Sequence, residues 1–230
     1  MEDTRTDMTA TRLKNLATPC LVLDADRMER NITRLRHRLD GQGVALRPHL
    51  KTAKSVEVAR RVMSSPAGPA TVSTLKEAEQ FVAAGVRDII YAVGIVPTKL
   101  PQVLALRAKG ADVAVVLDTV EQAQAVARVS RDAGTRIPAL IEIDCDGHRS
   151  GVRPDDRQRL IDIGRALADG AELRGVLPEL VIGDRVRILP NHACATAAQH
   201  GHYHVVRGSS SKVERSGRGL VAGNSGGGQA

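Results

Sequence analysis

The stretch "PATVSTLKEAEQFVAAGVRDIIYAVG", residues 69–94, decides the fold class. "PATVST" (69–74) is a short apolar run that reads as a strand, and "LKEAEQFVAAG" (75–85) reads as a helix closed by Gly85. "DIIYAVG" (88–94) reads as a second strand. A helix between two strands crosses over and returns the chain parallel to its start, so this unit predicts a parallel sheet.

The same unit recurs on both sides. Upstream, "TPCLVLD" (18–24) is a strand, and "ADRMERNITRLRHRLDG" follows with Met28, Ile32, Leu35 and Leu39 at helical spacing. "VALRPHLK" (44–51) reads as a strand and "SVEVARRVM" (55–63) as a helix. Downstream come a helix around "TKLPQVLALRAKG" (98–110), the strand "ADVAVVLD" (111–118) and the helix "TVEQAQAVARVSRDAG" (119–134). The strand "IPALIEIDCD" (137–146), the helix "DDRQRLIDIGRALADG" (155–170) and the strand "LRGVL" (173–177) complete the series. Such alternation fits a doubly wound sheet or a barrel, with ligand chemistry at the carboxyl ends of the strands. Lys51, Asp118 and "DCDGHRSG" (144–151) stand at such ends. The alternation stops at Pro178. The segment 178–208 has the short runs of antiparallel β structure, and the Gly/Ser-rich residues 209–230 read as a disordered tail.

Composition narrows the class. With 42% hydrophobic residues but one Phe, two Tyr and no Trp, the core must be built from Ala, Val, Leu and Ile. Those residues suit helices on buried parallel strands. The net charge of +7 is spread through mixed runs such as "RMERNITRLRHRLD", without aromatics for base stacking. A solvated helix face is expected there, not a nucleic-acid partner, and a basic lip for an anionic cofactor or substrate remains compatible. Cys20, Cys145 and Cys194 lie far apart and form no CxxC pair, which points to a reducing compartment. The polar start and the lack of a run near ~20 apolar residues predict a cytoplasmic protein without a membrane span.

Within "VALRPHLKTAK" (44–54), Arg47, His49 and Lys51 are spaced two apart and would share one face of a strand. Burial and neighbouring positive charge favour a neutral lysine amine, which can attack an aldehyde carbon. Lys54 competes for that role, and a surface lysine at a loop start is the plainer alternative. At the strand exit "EIDCDGHRSGV", Asp144, Asp146, His148 and Arg149 crowd between an apolar run and two glycines. An arginine there suits an anionic oxygen, whereas a charged turn would merely end the strand. "PNHACAT" puts His192 and Cys194 two apart, a plausible pair of zinc ligands. His200, His202 and His204 of "HGHYH" read better as an exposed strand edge.

Together, "TPCLVLD", "LRPHLKTAKS", "IEIDCDGHRSGV" and "GDRVRILPNHACAT" resemble the D-threonine aldolase and D-serine dehydratase-like family of pyridoxal phosphate enzymes. The resemblance covers about residues 16 to 207. It implies an α/β fold: an alanine racemase-like TIM barrel, here partial, plus a small remnant β-domain. The implied boundaries are an N-terminal strand and helix at 1–43, the barrel at 44–177 and the metal-binding β-domain at 178–208. Strand 18–24 would join the β-domain. Lys51 would hold the cofactor as an internal aldimine, with His49 lining its side, and Arg149 would approach its phenolic oxygen. His192 and Cys194 would bind a divalent metal, zinc over manganese, which positions the β-hydroxyl of a D-amino acid substrate. A cysteine at the second metal position resembles the dehydratase branch, while aldolase members commonly carry aspartate there, so dehydration and aldol cleavage both stay open. A homodimer is the family expectation.

One departure stands out. "ELRGVL" runs almost at once into "PELVIGDRVRILPNHACAT", where the family places a long segment, so a large internal deletion is expected. Three readings follow: a metal-assisted D-amino-acid lyase, a non-catalytic pyridoxal phosphate-binding protein, or an inactive truncated member unless a partner chain completes the barrel.

Overall fold

A computed structural model describes residues 12–144, 150–175, 202–207 and 215–218. Compactness divides the chain into two units, Met1–Met63 with Asn191–Ala230, and Ser64–Pro190.

The first unit opens with β1 (Leu21–Asp24), α1 (Ala25–Asp40) and α2 (Val56–Val62). Asp24 begins α1 by accepting the Arg27 N–H at 3.0 Å, satisfying a donor that the first turn leaves without a partner. Ile32 is buried, and Met28, Leu35 and Leu39 are half-buried beside it, as their spacing predicts. Arg36 donates from Nη2 to the Arg61 carbonyl at 2.7 Å and to the Met63 carbonyl at 3.0 Å. It thereby supplies donors to carbonyls that the end of α2 leaves exposed. Glu29 pairs with Arg61 beside it.

The second unit carries β2 (Ala70–Val72), α3 (Leu75–Ala83), β3 (Asp88–Gly94), α4 (Leu100–Ala108) and β4 (Asp112–Leu117). It continues through α5 (Val120–Asp132), β5 (Pro138–Ile141), α6 (Arg157–Ala168) and β6 (Glu172–Gly175). All four strand pairings are parallel, and the order is β2-β3-β4-β5-β6. That order decides between the two architectures left open by the sequence. A doubly wound sheet reverses direction at a switch point, whereas strands laid down strictly in sequence keep every right-handed crossover on one side. The sheet is therefore an arc of a (β/α) barrel.

Burial follows the pleat. Ala70, Val72, Ile89, Tyr91, Val113, Val115, Leu117 and Ala139 have no exposed surface, on the side covered by the helices. On the other side Thr71, Ile90 and Leu140 are half-exposed, while Ala114 and Val116 of the central strand are buried. Thr74, Thr119 and Asp156 begin α3, α5 and α6 by accepting a first-turn N–H. Thr119 and Gln122 form a reciprocal capping box. Phe81, the chain's one phenylalanine, is fully buried in the small-residue core, as is Tyr91.

Two strands complete the first unit, β7 (His202–Val206) and β8 (Arg215–Arg218). β1 pairs parallel with β7, and β7 pairs antiparallel with β8. Arg207 ties the exit of β7 to Asp26 of α1 at 2.8 Å.

Two expectations need correction. The strand expected over 44–51 does not form. Residues 44–48 take no regular structure, His49 occupies a lone bridge position, and 50–53 turn. Pro48 cannot donate to a ladder, which breaks the run that the alternating side chains had implied. The tail expected from residue 209 also supplies β8, which needs no apolar content because its pairing with β7 is made by the backbone.

Candidate active site

Lys51 sits in a tight turn. The Lys54 N–H donates to the Leu50 carbonyl at 3.0 Å, closing the turn around Lys51, and Leu50 is buried beneath it. Lys54 ends the turn in a left-handed conformation (φ 46°), which is uncommon for a residue with a Cβ and concentrates at functional sites. Ser55 then begins α2 by accepting the Val58 N–H at 3.4 Å. Lys51 is half-buried and His49 exposed. The Lys51 N–H donates to His49 Nδ1 at 3.3 Å, so a neutral His49 carries its proton on Nε2. The turn brings Lys51 beside His49 by backbone geometry, without the strand face that the sequence implied. Lys54, the competitor, has the conformation that makes the turn.

In the second unit, polar groups link the carboxyl ends of successive strands. Beyond β3, the Ile95 carbonyl accepts from Gln122 Nε2 at 2.9 Å. Gln122 Oε1 in turn accepts the N–H groups of Asp118 and Thr119, at 2.9 and 3.1 Å, beyond β4. Asp118 Oδ2 accepts the Gly151 N–H at 3.0 Å, from the connection between β5 and α6. The Asp118 carbonyl accepts from Arg159 Nε at 3.2 Å. Ser150 Oγ donates to Glu142 Oε2 at 3.2 Å. Burial pushes the Glu142 carboxyl above its ordinary value; Asp118 and Asp144 push it the same way, and the Ser150 hydroxyl opposes them.

The neck of the β5–α6 connection is narrow. Asp144 N–H donates to the Val152 carbonyl at 2.9 Å, and Val152 N–H to the Glu142 carbonyl at 2.8 Å. Gly151 has a φ of 123°, and a Cβ there would lie 2.6 Å from the Asp144 nitrogen. Only glycine fits.

Asp118 and Asp144 stand at strand exits, where the sequence reading put them. Gln122, Glu142, Ser150 and Arg159 were not foreseen. For Gln122 a signal existed, since "TVEQ" has the spacing of a capping box. Arg149, His192 and Cys194 lie outside the described residues, as do Cys145 and Cys194 among the cysteines; Cys20 is a free, half-buried thiol. Among the described residues no group of three or more His, Cys, Asp or Glu is placed to hold a metal. Among them, too, no helix is long and apolar enough to cross a membrane.

A five-strand arc wound in one direction, with its polar groups gathered at the strand exits, defines a partial α/β barrel. The chain belongs to the family described as alanine racemase, N-terminal domain, whose model matches residues 23–208. It is 54% identical over 166 residues to D-threo-3-hydroxyaspartate dehydratase of Delftia sp. (strain HT23), covering 72% of this chain and 44% of that one. It is 35% identical over 144 residues to D-threonine aldolase of Arthrobacter sp, covering 62% of this chain and 38% of that one. Solved structures of the Delftia enzyme match with a TM-score of 0.68 at 53% identity, over 70% of this chain and 43% of that one. Two further solved structures of D-threo-3-hydroxyaspartate dehydratase carry a histidine-to-alanine change and, two positions later, a cysteine-to-alanine change, the latter in a metal-free form. This chain spans less than half the length of these relatives.

Proposed function

We propose that this chain is the cofactor-holding part of a pyridoxal phosphate-dependent lyase for β-hydroxy D-amino acids, acting by preference on 3-hydroxy-D-aspartate. The observation that carries this reading is the 54% identity to a D-threo-3-hydroxyaspartate dehydratase. A substrate with two carboxylates also suits a chain of net charge +7.

The residues present fit the cofactor. Arg47, His49, Lys51 and Lys54 gather basic groups around one turn, a donor set suited to a phosphorylated aldehyde. Lys51 would hold the cofactor covalently through its amine, His49 would flank it, and Arg149 would donate to its phenolic oxygen. When bound, pyridoxal phosphate supplies an electron sink for bonds at the substrate's Cα. His192 and Cys194 offer an imidazole and a thiolate, a donor pair that suits zinc better than manganese. A divalent metal there supplies a Lewis acid at the substrate's β-hydroxyl. The spacing of these two residues equals that of the histidine and cysteine altered in the two solved dehydratase mutants, which supports the assignment. Cysteine at the second position and the higher identity to a dehydratase both favour loss of the β-hydroxyl over carbon–carbon cleavage.

The test is a visible spectrum of the purified chain with added pyridoxal phosphate, then borohydride reduction and peptide mapping. A band near ~420 nm and label on Lys51 alone are expected, followed by zinc-dependent turnover of 3-hydroxy-D-aspartate. Label scattered over surface lysines would overturn the reading. The share of its relatives that the chain spans, 44%, favours a second reading in which it binds cofactor without turnover. Label on Lys51 with no product from any β-hydroxy D-amino acid would select it.

A further inference from the structure

We propose that the outer face of α1 is a docking surface for an acidic helix of another protein, built on the row Arg27, Arg30, Arg34 and Arg38. Spacings of three, four and four residues put one arginine on each turn, in a row about 16 Å long. The row lies opposite the apolar stripe of Met28, Ile32, Leu35 and Leu39, and all four arginines are exposed. Other charges of α1 are engaged within the first unit. Asp26 pairs with Arg207, Glu29 pairs with Arg61, and Arg36 serves the carbonyls at the end of α2. Among the described residues no arginine of the row pairs with a carboxylate, and Arg34 donates to Asn31 Oδ1 at 3.2 Å. The Arg27 N–H and, behind it, the charges of Arg27 and Arg30 hold the Asp24 carboxyl below its ordinary value, but that side chain is committed to capping the helix.

Such a row is unfavourable for the helix alone. Like charges three or four residues apart repel, and the first turn of a helix disfavours a cation. A solvated face ordinarily mixes signs at these spacings, as Lys76 and Glu79 do on α3. The row becomes favourable when carboxylates come to it. Arginine's planar fork takes a carboxylate through two parallel bonds, and a second helix repeats its side chains at the same pitch of about 5.4 Å. A partner helix with one Glu or Asp per turn therefore matches the row turn for turn. Other polyanions fit less well. Asp26, Glu29 and Asp40 follow one flank of the row and would repel the phosphates of a duplex. The face itself is Arg27, Arg30, Asn31, Arg34, His37 and Arg38, with no apolar residue to enter a membrane. A second copy offers no match, because no helix among the described residues carries a carboxylate on three successive turns.

The test uses the full chain and a fluorescent synthetic peptide of about 20 residues, long enough to hold a helix, with glutamate once per turn along one face. A second peptide has the same composition with its glutamates spread around the helix. At low salt the first peptide should bind at least about tenfold more tightly than the second, and its affinity should fall as added salt screens the charges. Arg30→Glu combined with Arg34→Glu should weaken binding of the first peptide at least about tenfold. Lysine in place of glutamate on the two central turns of the peptide should restore binding to that variant, which a damaged helix could not do. If the reversed variant does not fold, Arg30→Gln combined with Arg34→Gln decides by the same loss of affinity. Failure to bind the first peptide, equal affinity for both peptides, or variants that bind as wild type does would each overturn the proposal. So would a DNA duplex or an anionic phospholipid vesicle bound more tightly than the first peptide through the same arginines. Self-association of the chain that is lost in Arg34→Gln would assign the face to a second copy and overturn it too.

Discussion

Arg107 at the end of α4 donates from Nη1 to Asp112 Oδ1 at the start of β4, at 2.9 Å. Asp112 also accepts from Arg174 of β6, so one carboxylate ties a helix to a strand two places away in the sheet. Burial alone would raise the Asp112 carboxyl, but the Arg174 and Arg107 guanidiniums outweigh it and hold it low. A carboxyl lowered by folding contributes stability above its unfolded value of 3.8, and that contribution is lost as pH falls through the folded value. Asp112→Asn should therefore cost on the order of 1 kcal/mol at pH 7, after screening by solvent. Denaturant melts of the pair should converge in acid as pH falls through the lowered folded value. A cost that persists there would deny the ion-pair origin.

Glu142 should behave in the opposite sense. Its carboxyl is raised by burial first and by two neighbouring carboxylates, so folding disfavours its charged form. The penalty is absent below the ordinary value of 4.5, grows as pH rises from there toward the folded value, and is complete above it. Glu142→Gln keeps an acceptor for Ser150 and should melt higher than wild type at pH 7, with no advantage at pH 4. Equal melting temperatures at pH 7 would show that the charge is relieved by solvent.

Phe81 tests the core. In a chain built from Ala, Val, Leu and Ile, small side chains have little reach to refill the space left by a fully buried ring. Phe81→Ala should cost about 3–5 kcal/mol in equilibrium unfolding, and Phe81→Leu much less. A cost under about 1 kcal/mol for the alanine variant would mean that the core collapses onto the site.

The proposed metal pair can be separated from the cofactor lysine. Cys194→Ala should abolish zinc-dependent turnover while borohydride still places cofactor on Lys51. Lys51→Ala should remove that label and leave zinc content unchanged. Loss of the label in the cysteine variant would mean that the two functions are not divided in this way.

The βα units were legible because their signals are local. Apolar runs such as "VAVVL" and closing glycines such as Gly85 and Gly110 mark strands and helix ends wherever they fall. The choice between barrel and doubly wound sheet was not legible, since strand order is a property of pairing and leaves no mark within any one strand. At the candidate site, Lys51 was singled out by its basic neighbours, but its backbone is a turn and not the strand they implied. Pro48 and the left-handed Lys54 turn a supposed strand into a bend. The contacts of Asp118 with Gly151 and Arg159 form only where separate connections meet, and single-sequence spacing does not report such meetings.

The order of strands also sets the order in which the chain can be finished. During synthesis from the N-terminus, each of β3 to β6 emerges to find its partner strand already made, and every such pairing spans a single α-helix. The sheet of the second unit can thus grow by accretion while the ribosome is still at work. β1 has no such partner at hand: its register, Leu21 against Tyr203, joins opposite ends of the sequence. β1 is made before all of these strands yet is paired only after β7 has emerged, and until then a nascent-chain chaperone has an unpaired apolar edge to hold.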